Sequence, residues 1–257
     1  MRNLLHIGWI VFVVSIAITT DARAEDTFFD SDGVKIRYTD EGHGQPVVLI
    51  HGFMATGDMN WRVNGVAKEL LKNYRVITLD NRGHGKSDKP IEADDYGEKM
   101  AQDVIRLLDH LKIKQAHLVG YSMGGMITLK VAAIAPERML SGVIGGMGWT
   151  PLGPAAKERE GADGRSLPLR ACACAFRQLG TTREELLAIK VPLTVVIGED
   201  DSLLKRSVEP LRQARPDIPV VVIAGANHIT CVLRPELRQA IVAFLDKQRE
   251  ATAKQSN

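Results

Sequence analysis

Short, unbroken apolar runs recur along the chain. Val47-Val48-Leu49-Ile50, Val76-Ile77-Thr78-Leu79, His117-Leu118-Val119, Leu193-Thr194-Val195-Val196-Ile197 and Val220-Val221-Val222-Ile223 are of this kind, and Gly142-Val143-Ile144 is a weaker member. Runs without polar alternation predict strands buried on both faces of a parallel sheet. Upstream, Val34, Ile36 and Tyr38 alternate with polar residues, which predicts a half-exposed strand, and Gly42-His43-Gly44 marks the turn after it. Helical spacing fills the gaps. Met100, Val104, Leu107, Leu108 and Leu111 share one face of a predicted helix, and Leu237, Ile241, Phe244 and Leu245 share another. Pro235-Glu236 fits the first turn of that last helix, where proline forfeits no hydrogen bond. Strands alternating with helices predict right-handed βαβ units: an α/β fold with a mostly parallel central sheet and helices on both faces.

Two segments break the rhythm. Residues 151–190 carry no clear strand, and Ala155–Glu160 is followed by a flexible Gly161-Ala162-Asp163-Gly164. A long irregular excursion in a compact domain is usually functional, so this segment is expected to form a short lid. At the N-terminus, Arg2 precedes an apolar run from Ile7 to Ile18 broken only by Gly8 and Ser15, and Ala22-Arg23-Ala24 follows. A positive start, a short apolar stretch and a small-x-small site predict a cleaved secretory signal over residues 1–24. The run is shorter than the ~20 residues a spanning helix needs, so no stable membrane insertion is expected after cleavage. The expected product is one domain of residues 25–257, periplasmic or secreted.

Composition narrows the function classes. The 257 residues hold 33 Lys plus Arg against 31 Asp plus Glu, a net charge of +2; removal of Arg2, Arg23 and Asp21 with the signal leaves 31 against 30. That balance does not call for nucleic acid as partner. Cys172, Cys174 and Cys231 form no disulfide framework. Cys172 and Cys174 are too close to bridge each other easily, which leaves at most one bond, from Cys231 to either, or three free thiols. Cys172-x-Cys174 lacks a nearby His or Cys to complete a metal site, and no metal or other cofactor is expected.

The chemistry gathers around Gly120-Tyr121-Ser122-Met123-Gly124. A G-x-S-x-G run is weak alone. Here it directly follows a predicted buried strand and precedes a helical pattern with Ile127, Leu129, Val131 and Ala132, the strand–turn–helix setting of a nucleophile elbow. A serine hydroxyl needs a base. His228, in Gly225-Ala226-Asn227-His228, follows the last apolar run and so lies at the carboxyl edge of the sheet, as Ser122 does. The base needs an acid, and Gly198-Glu199-Asp200-Asp201 follows another run at the same edge. Asp201 is the first candidate and Asp200 the second. His51 and His84 lie in turns and are expected to support the scaffold.

The order Ser122, Asp201, His228 resembles that of the α/β-hydrolase fold family. Three further runs are similar to it: His51-Gly52-Phe53 resembles the oxyanion loop, Asp80-Asn81-Arg82-Gly83-His84-Gly85-Lys86-Ser87 the Asp-x-Arg-Gly-His-Gly-x-Ser turn, and Val191 to Asp201 the strand leading to the acid. The resemblance places the acid three residues after Gly198, favouring Asp201, and implies an oxyanion hole from the backbone N–H groups of Phe53 and Met123. It implies hydrolysis of a small to medium acyl substrate, most simply a carboxylic ester, through an acyl-enzyme on Ser122. Lactone, peptide-amine, carbon–carbon or perhydrolytic chemistry would use the same residues, and a receptor-like role with little turnover is the reading from another class. Met54, Met147 and Trp149 sit near carboxyl ends of predicted strands and are candidates to line the substrate pocket.

Overall fold

A computed structural model describes residues 25–153 and 166–255. The expected signal segment and residues 154–165 of the expected lid lie outside the described residues. Eight strands form one sheet: β1 (Thr27–Ser31), β2 (Val34–Gly42), β3 (Gln45–Ile50), β4 (Tyr74–Leu79), β5 (Ala116–Tyr121), β6 (Met139–Gly145), β7 (Leu193–Gly198) and β8 (Val220–Ile223). Their order is β1-β2-β4-β3-β5-β6-β7-β8. β4, β3, β5, β6, β7 and β8 are mutually parallel, while β2 pairs antiparallel with both β1 and β4. The helices are α1 (Val66–Leu70), α2 (Glu98–His110), α3 (Met123–Ile134), α4 (Leu167–Cys174), α5 (Arg183–Ala188), α6 (Glu209–Ala214), α7 (His228–Cys231) and α8 (Pro235–Gln255).

The pleat sorts the apolar runs into two cores. Val48 and Ile50 of β3 and Leu118 of β5 face the layer holding α2, α3, α4 and α6. Val47, Leu49 and Val119 face the layer holding α1 and α8. Strands whose alternate side chains are both buried must be apolar throughout, which is what the runs record. Helix α3 lies in the middle of the first layer with Met123 to Ala132 all buried, and is accordingly hydrophobic on every side.

Three expectations are corrected. β2 is not half-exposed: Arg37 and Thr39, on its polar face, are buried along with Ile36 and Tyr38. Arg37 is tolerated there because its guanidinium pairs with Asp26 at 2.6 Å and lies 3.8 Å from Asp80. Buried charge requires such partners. β8 is not covered on both faces: it is the edge of the sheet, with Val221 and Val222 about 40% exposed. β1 is an additional strand, joined to β2 through Asp32-Gly33, both in the left-handed region. Asp-Gly is the preferred pair for a two-residue hairpin turn, so the signal was present in the sequence.

The described part of residues 151–190 packs closely. Cys172, Ala175, Leu179 and Leu186 are buried in the α2–α3 layer. α5 starts with a reciprocal capping box: the Glu185 N–H donates to Thr182 Oγ1, and the Thr182 N–H donates to the Glu185 carboxylate. All three cysteines are free. Cys172 and Cys231 belong to cores on opposite faces of the sheet, so the bond left open by the sequence does not form. Among the described residues no helix is long and apolar enough to cross a membrane.

Candidate active site

Ser122 ends the central strand β5 and caps α3 with φ 54° and ψ −114°. A non-glycine residue at positive φ is held there by its surroundings. The flanking glycines explain how. A Cβ on Gly120 would lie 1.9 Å from the Gly124 carbonyl oxygen, and one on Gly124 would lie 2.0 Å from that of Ile50. The strand, the turn and the helix can approach this closely only without side chains at both positions. The Ser122 N–H donates to the Gly145 carbonyl at 2.7 Å, tying the turn to β6.

His228 comes from a distant part of the chain, 106 residues on. Its Nε2 lies 2.9 Å from Ser122 Oγ, and its Nδ1 lies 2.7 Å from Asp201 Oδ2. An ionised Asp201 only accepts, so Nδ1 carries the proton and Nε2 is left to accept from the serine hydroxyl. Asp201 also accepts the Leu203 N–H at 2.9 Å. The Asp201 side chain is 1% exposed and that of His228 32%, so the imidazole stands between a sealed carboxylate and solvent. The exposed Asp200 instead donates its N–H to the Ala226 carbonyl, which holds the acid loop to the histidine loop.

The loop after β3 lies against Ser122. A Cβ on Gly52 would meet Ser122 Cβ at 3.3 Å. Its N–H is fixed by Asn60 Oδ1 at 2.7 Å. His51 accepts the Asn81 N–H at Nε2 and donates from Nδ1 to the Gly52 carbonyl, so it braces this loop against the one after β4. Burial pushes its pKa down to about 4, which keeps it neutral. His84 is likewise lowered by burial. Phe53 packs edge-on against His84 and Phe176. Asp80 accepts the N–H groups of Gly57 and Lys86. Gly85 leaves room for that carboxylate, since a Cβ there would lie 2.1 Å from Asp80 Oδ2. Met123 begins α3, where first-turn N–H groups have no partner inside the helix. The Cys172 thiol lies 3.7 Å from Met123 Sδ, and burial raises its pKa to about 12.

Of the three residues expected to line a pocket, Met54 lies open on the surface at positive φ. Met147 is buried in the core, close to Gly125. Trp149 is half-buried, with its indole N–H donating to the Thr181 carbonyl. The structure adds residues that sequence reasoning missed. Tyr121 donates its hydroxyl to the His228 carbonyl at 2.7 Å and sets its ring 5.6 Å from the imidazole. Gly145 and Gly146 make room for it, as a Cβ on either would touch the Tyr121 ring within 2.8 Å. Asn227 caps α7 by accepting from Ile229 and Thr230 while Thr230 Oγ1 accepts from its N–H. The paired glycines and the Asn before His228 were the available signals; Asn60 had none. Met59 and Val63 on one loop, and Ile229 and Leu233 on another, are exposed apolar side chains. A hydrogen bond from Asn64 Nδ2 to the Val232 carbonyl joins their loops.

Comparison with known proteins agrees with this architecture. A family model described as the alpha/beta hydrolase fold matches residues 45–164. Over 99 residues, 38% of this chain, the sequence is 48% identical to the dihydrolipoyllysine-residue acetyltransferase component of an acetoin cleaving system from Pseudomonas putida, of which the match spans 25%. A thermophilic esterase from Thermogutta terrifontis superposes with a TM-score of 0.72 at 25% identity, over 88% of this chain and 99% of the esterase. The enol-lactonase from Burkholderia xenovorans LB400 superposes at 0.73 with 23% identity, over 86% and 100% of the two chains, which speaks for the fold alone. Sheet order, family match and structural neighbours together show that this chain has the α/β-hydrolase fold.

Proposed function

We propose that this chain is a serine hydrolase that cleaves a carboxylic ester of a small to medium acyl substrate. The observation that carries the reading is the continuous relay Ser122 Oγ–His228–Asp201, with contacts of 2.9 and 2.7 Å. Ser122 attacks the acyl carbonyl as His228 Nε2 takes its proton. Asp201 holds the imidazole in the required tautomer and stabilises the imidazolium. The N–H groups of Phe53 and Met123 receive the oxyanion, a term worth about 3 kcal/mol per donor. His228 then gives the proton to the leaving alcohol, and water activated by the same base releases the acid. None of these steps draws on a cofactor. The apolar side chains of Met54, Met59, Val63, Ile229 and Leu233 on the loops flanking the relay support an apolar acyl group over a charged one.

The test is turnover of p-nitrophenyl esters from acetyl to palmitoyl by the chain lacking residues 1–24 and by its Ser122→Ala variant. Turnover by the parent, reduced at least 10³-fold in the variant, is expected. Equal turnover by both would refute Ser122 as nucleophile. Export with removal of residues 1–24 is part of the same proposal, and N-terminal sequencing of the exported form beginning at Glu25 would support it.

A further inference from the structure

Gly52 stands between two side chains from different parts of the chain. A Cβ built on it would lie 3.3 Å from Ser122 Cβ and 3.5 Å from Asn60 Oδ1. The Asn60 amide and the serine side chain therefore face the same small space, which the missing side chain of Gly52 leaves open.

Asn60 is held firmly there. It lies on the π-helical turn Asp58–Arg62, where the Val63 N–H donates to the Asp58 carbonyl at 3.3 Å. Such turns are frequent at functional sites. The Asn60 N–H donates to the Thr56 carbonyl at 3.1 Å, and the Gly57 N–H donates to Asp80 at 2.9 Å. The Gly52 N–H that meets the Asn60 side chain at 2.7 Å can only donate. The amide oxygen is thereby assigned to Gly52, and the NH2 group is turned away from it.

That NH2 group has no partner among the described residues. Asn60 is 9% exposed, and its Nδ2 is not sealed from solvent as the unpartnered Nε1 of the adjacent Trp61 is. A side chain nine-tenths buried thus keeps unused donors beside Ser122. A hydrocarbon group laid over Nδ2 would cut it off from water and leave it unsatisfied, whereas an oxygen would accept from it. Sites with such a donor discriminate far more strongly than apolar pockets do. Arg62, on the same turn, is committed to Asp58 and Glu41, so the turn offers an uncharged donor and not a cation.

We propose that Asn60 determines acyl specificity. Its Nδ2 donates to an uncharged oxygen, hydroxyl or ether, that an otherwise apolar acyl group carries close to its scissile carbonyl. The proposal rests on the serine-hydrolase reading and narrows its substrates to esters of hydroxy- or alkoxy-substituted acids.

p-Nitrophenyl methoxyacetate and p-nitrophenyl butyrate test it, since they differ only by an ether oxygen in place of a methylene. In the parent, the ratio of kcat/KM for methoxyacetate over butyrate is expected to exceed the ratio of their hydroxide-catalysed rates by about tenfold or more. Asn60→Asp keeps an oxygen for the Gly52 N–H but exchanges the NH2 group for an acceptor, and should lower the enzymatic ratio by about tenfold or more. A parent ratio no higher than the hydroxide ratio would overturn the proposal. So would a loss in Asn60→Asp shared equally by both esters, which would make Asn60 a brace of the Gly52 loop alone. Ser122→Ala separates this proposal from the reading beneath it. Turnover lost in that variant upholds the nucleophile whatever the ratios, and turnover that survives it would overturn both.

Discussion

β5 and β8 are both runs of apolar residues that end near a side chain of the proposed relay, yet their surroundings are opposite. β5 is fully buried between β3 and β6, and its last residue hands directly to Ser122. β8 has one neighbour and two exposed valines, and four residues separate it from His228. The proposed nucleophile is thus placed by the sheet itself, through glycine contacts that leave no freedom. The proposed base, His228, is placed by side chains: the Tyr121 hydroxyl on its carbonyl, the Asn227 cap beneath it and Asp201 on its ring. Rigid central strands set a position once. A base delivered from an edge must be held by several separate bonds, each of which can be removed without unfolding the domain.

The glycines at the two strand ends separate these regimes most strongly. Gly124→Ala drives a Cβ to 2.0 Å from a main-chain oxygen, and a loss of about 3 kcal/mol or more is expected in urea unfolding. Gly225, near the end of β8, has nothing within 4 Å and only its positive φ to protect. Gly225→Ala should cost about 1 kcal/mol. Equal losses would mean that the two ends are equally constrained.

Acid should reveal β5 next. His117 on that strand is sealed between Ser141 and Gln45, and burial lowers its pKa from 6.5 to about 4. The unfolded chain takes up a proton below pH 6.5 that the folded chain refuses. Stability contributed by the neutral ring is thus complete above pH 6.5 and is lost as the pH falls toward 4, on the order of 2–3 kcal/mol. Denaturant midpoints at pH 7 and 4.5 should differ less in His117→Gln than in the parent; an equal difference would reject the assignment.

The smallest expected effect is at the junction of the two regions. Tyr121→Phe keeps the ring and removes the hydrogen bond to the His228 carbonyl. kcat should fall about tenfold, the worth of one such bond, with KM little changed and the elbow intact. A change confined to KM would place Tyr121 in substrate binding instead.

The sequence revealed the buried strands better than their neighbours. Val47 to Ile50 and Val220 to Ile223 read alike, because an apolar run records that a strand can be buried, while the number of strands beside it follows from chain order in the sheet. The proposed triad residues were legible because each lies within a few residues of the end of such a run. The burial of Arg37 was not legible because its partners, Asp26 and Asp80, lie on other elements and are joined to it only by folding. Tyr121 was missed for the same reason: its partner is 107 residues away.

The central claim is that a base carried from the edge activates the serine at the end of β5. The most direct measurement is the rate at which a fluorophosphonate probe modifies the chain, with the adduct located by peptide mass spectrometry, in the parent and in Asp201→Asn. The account predicts one adduct on Ser122 and a rate that falls steeply in the variant, toward the roughly 10⁴-fold that a wrong histidine tautomer costs. An adduct elsewhere, or equal rates in both proteins, would contradict it.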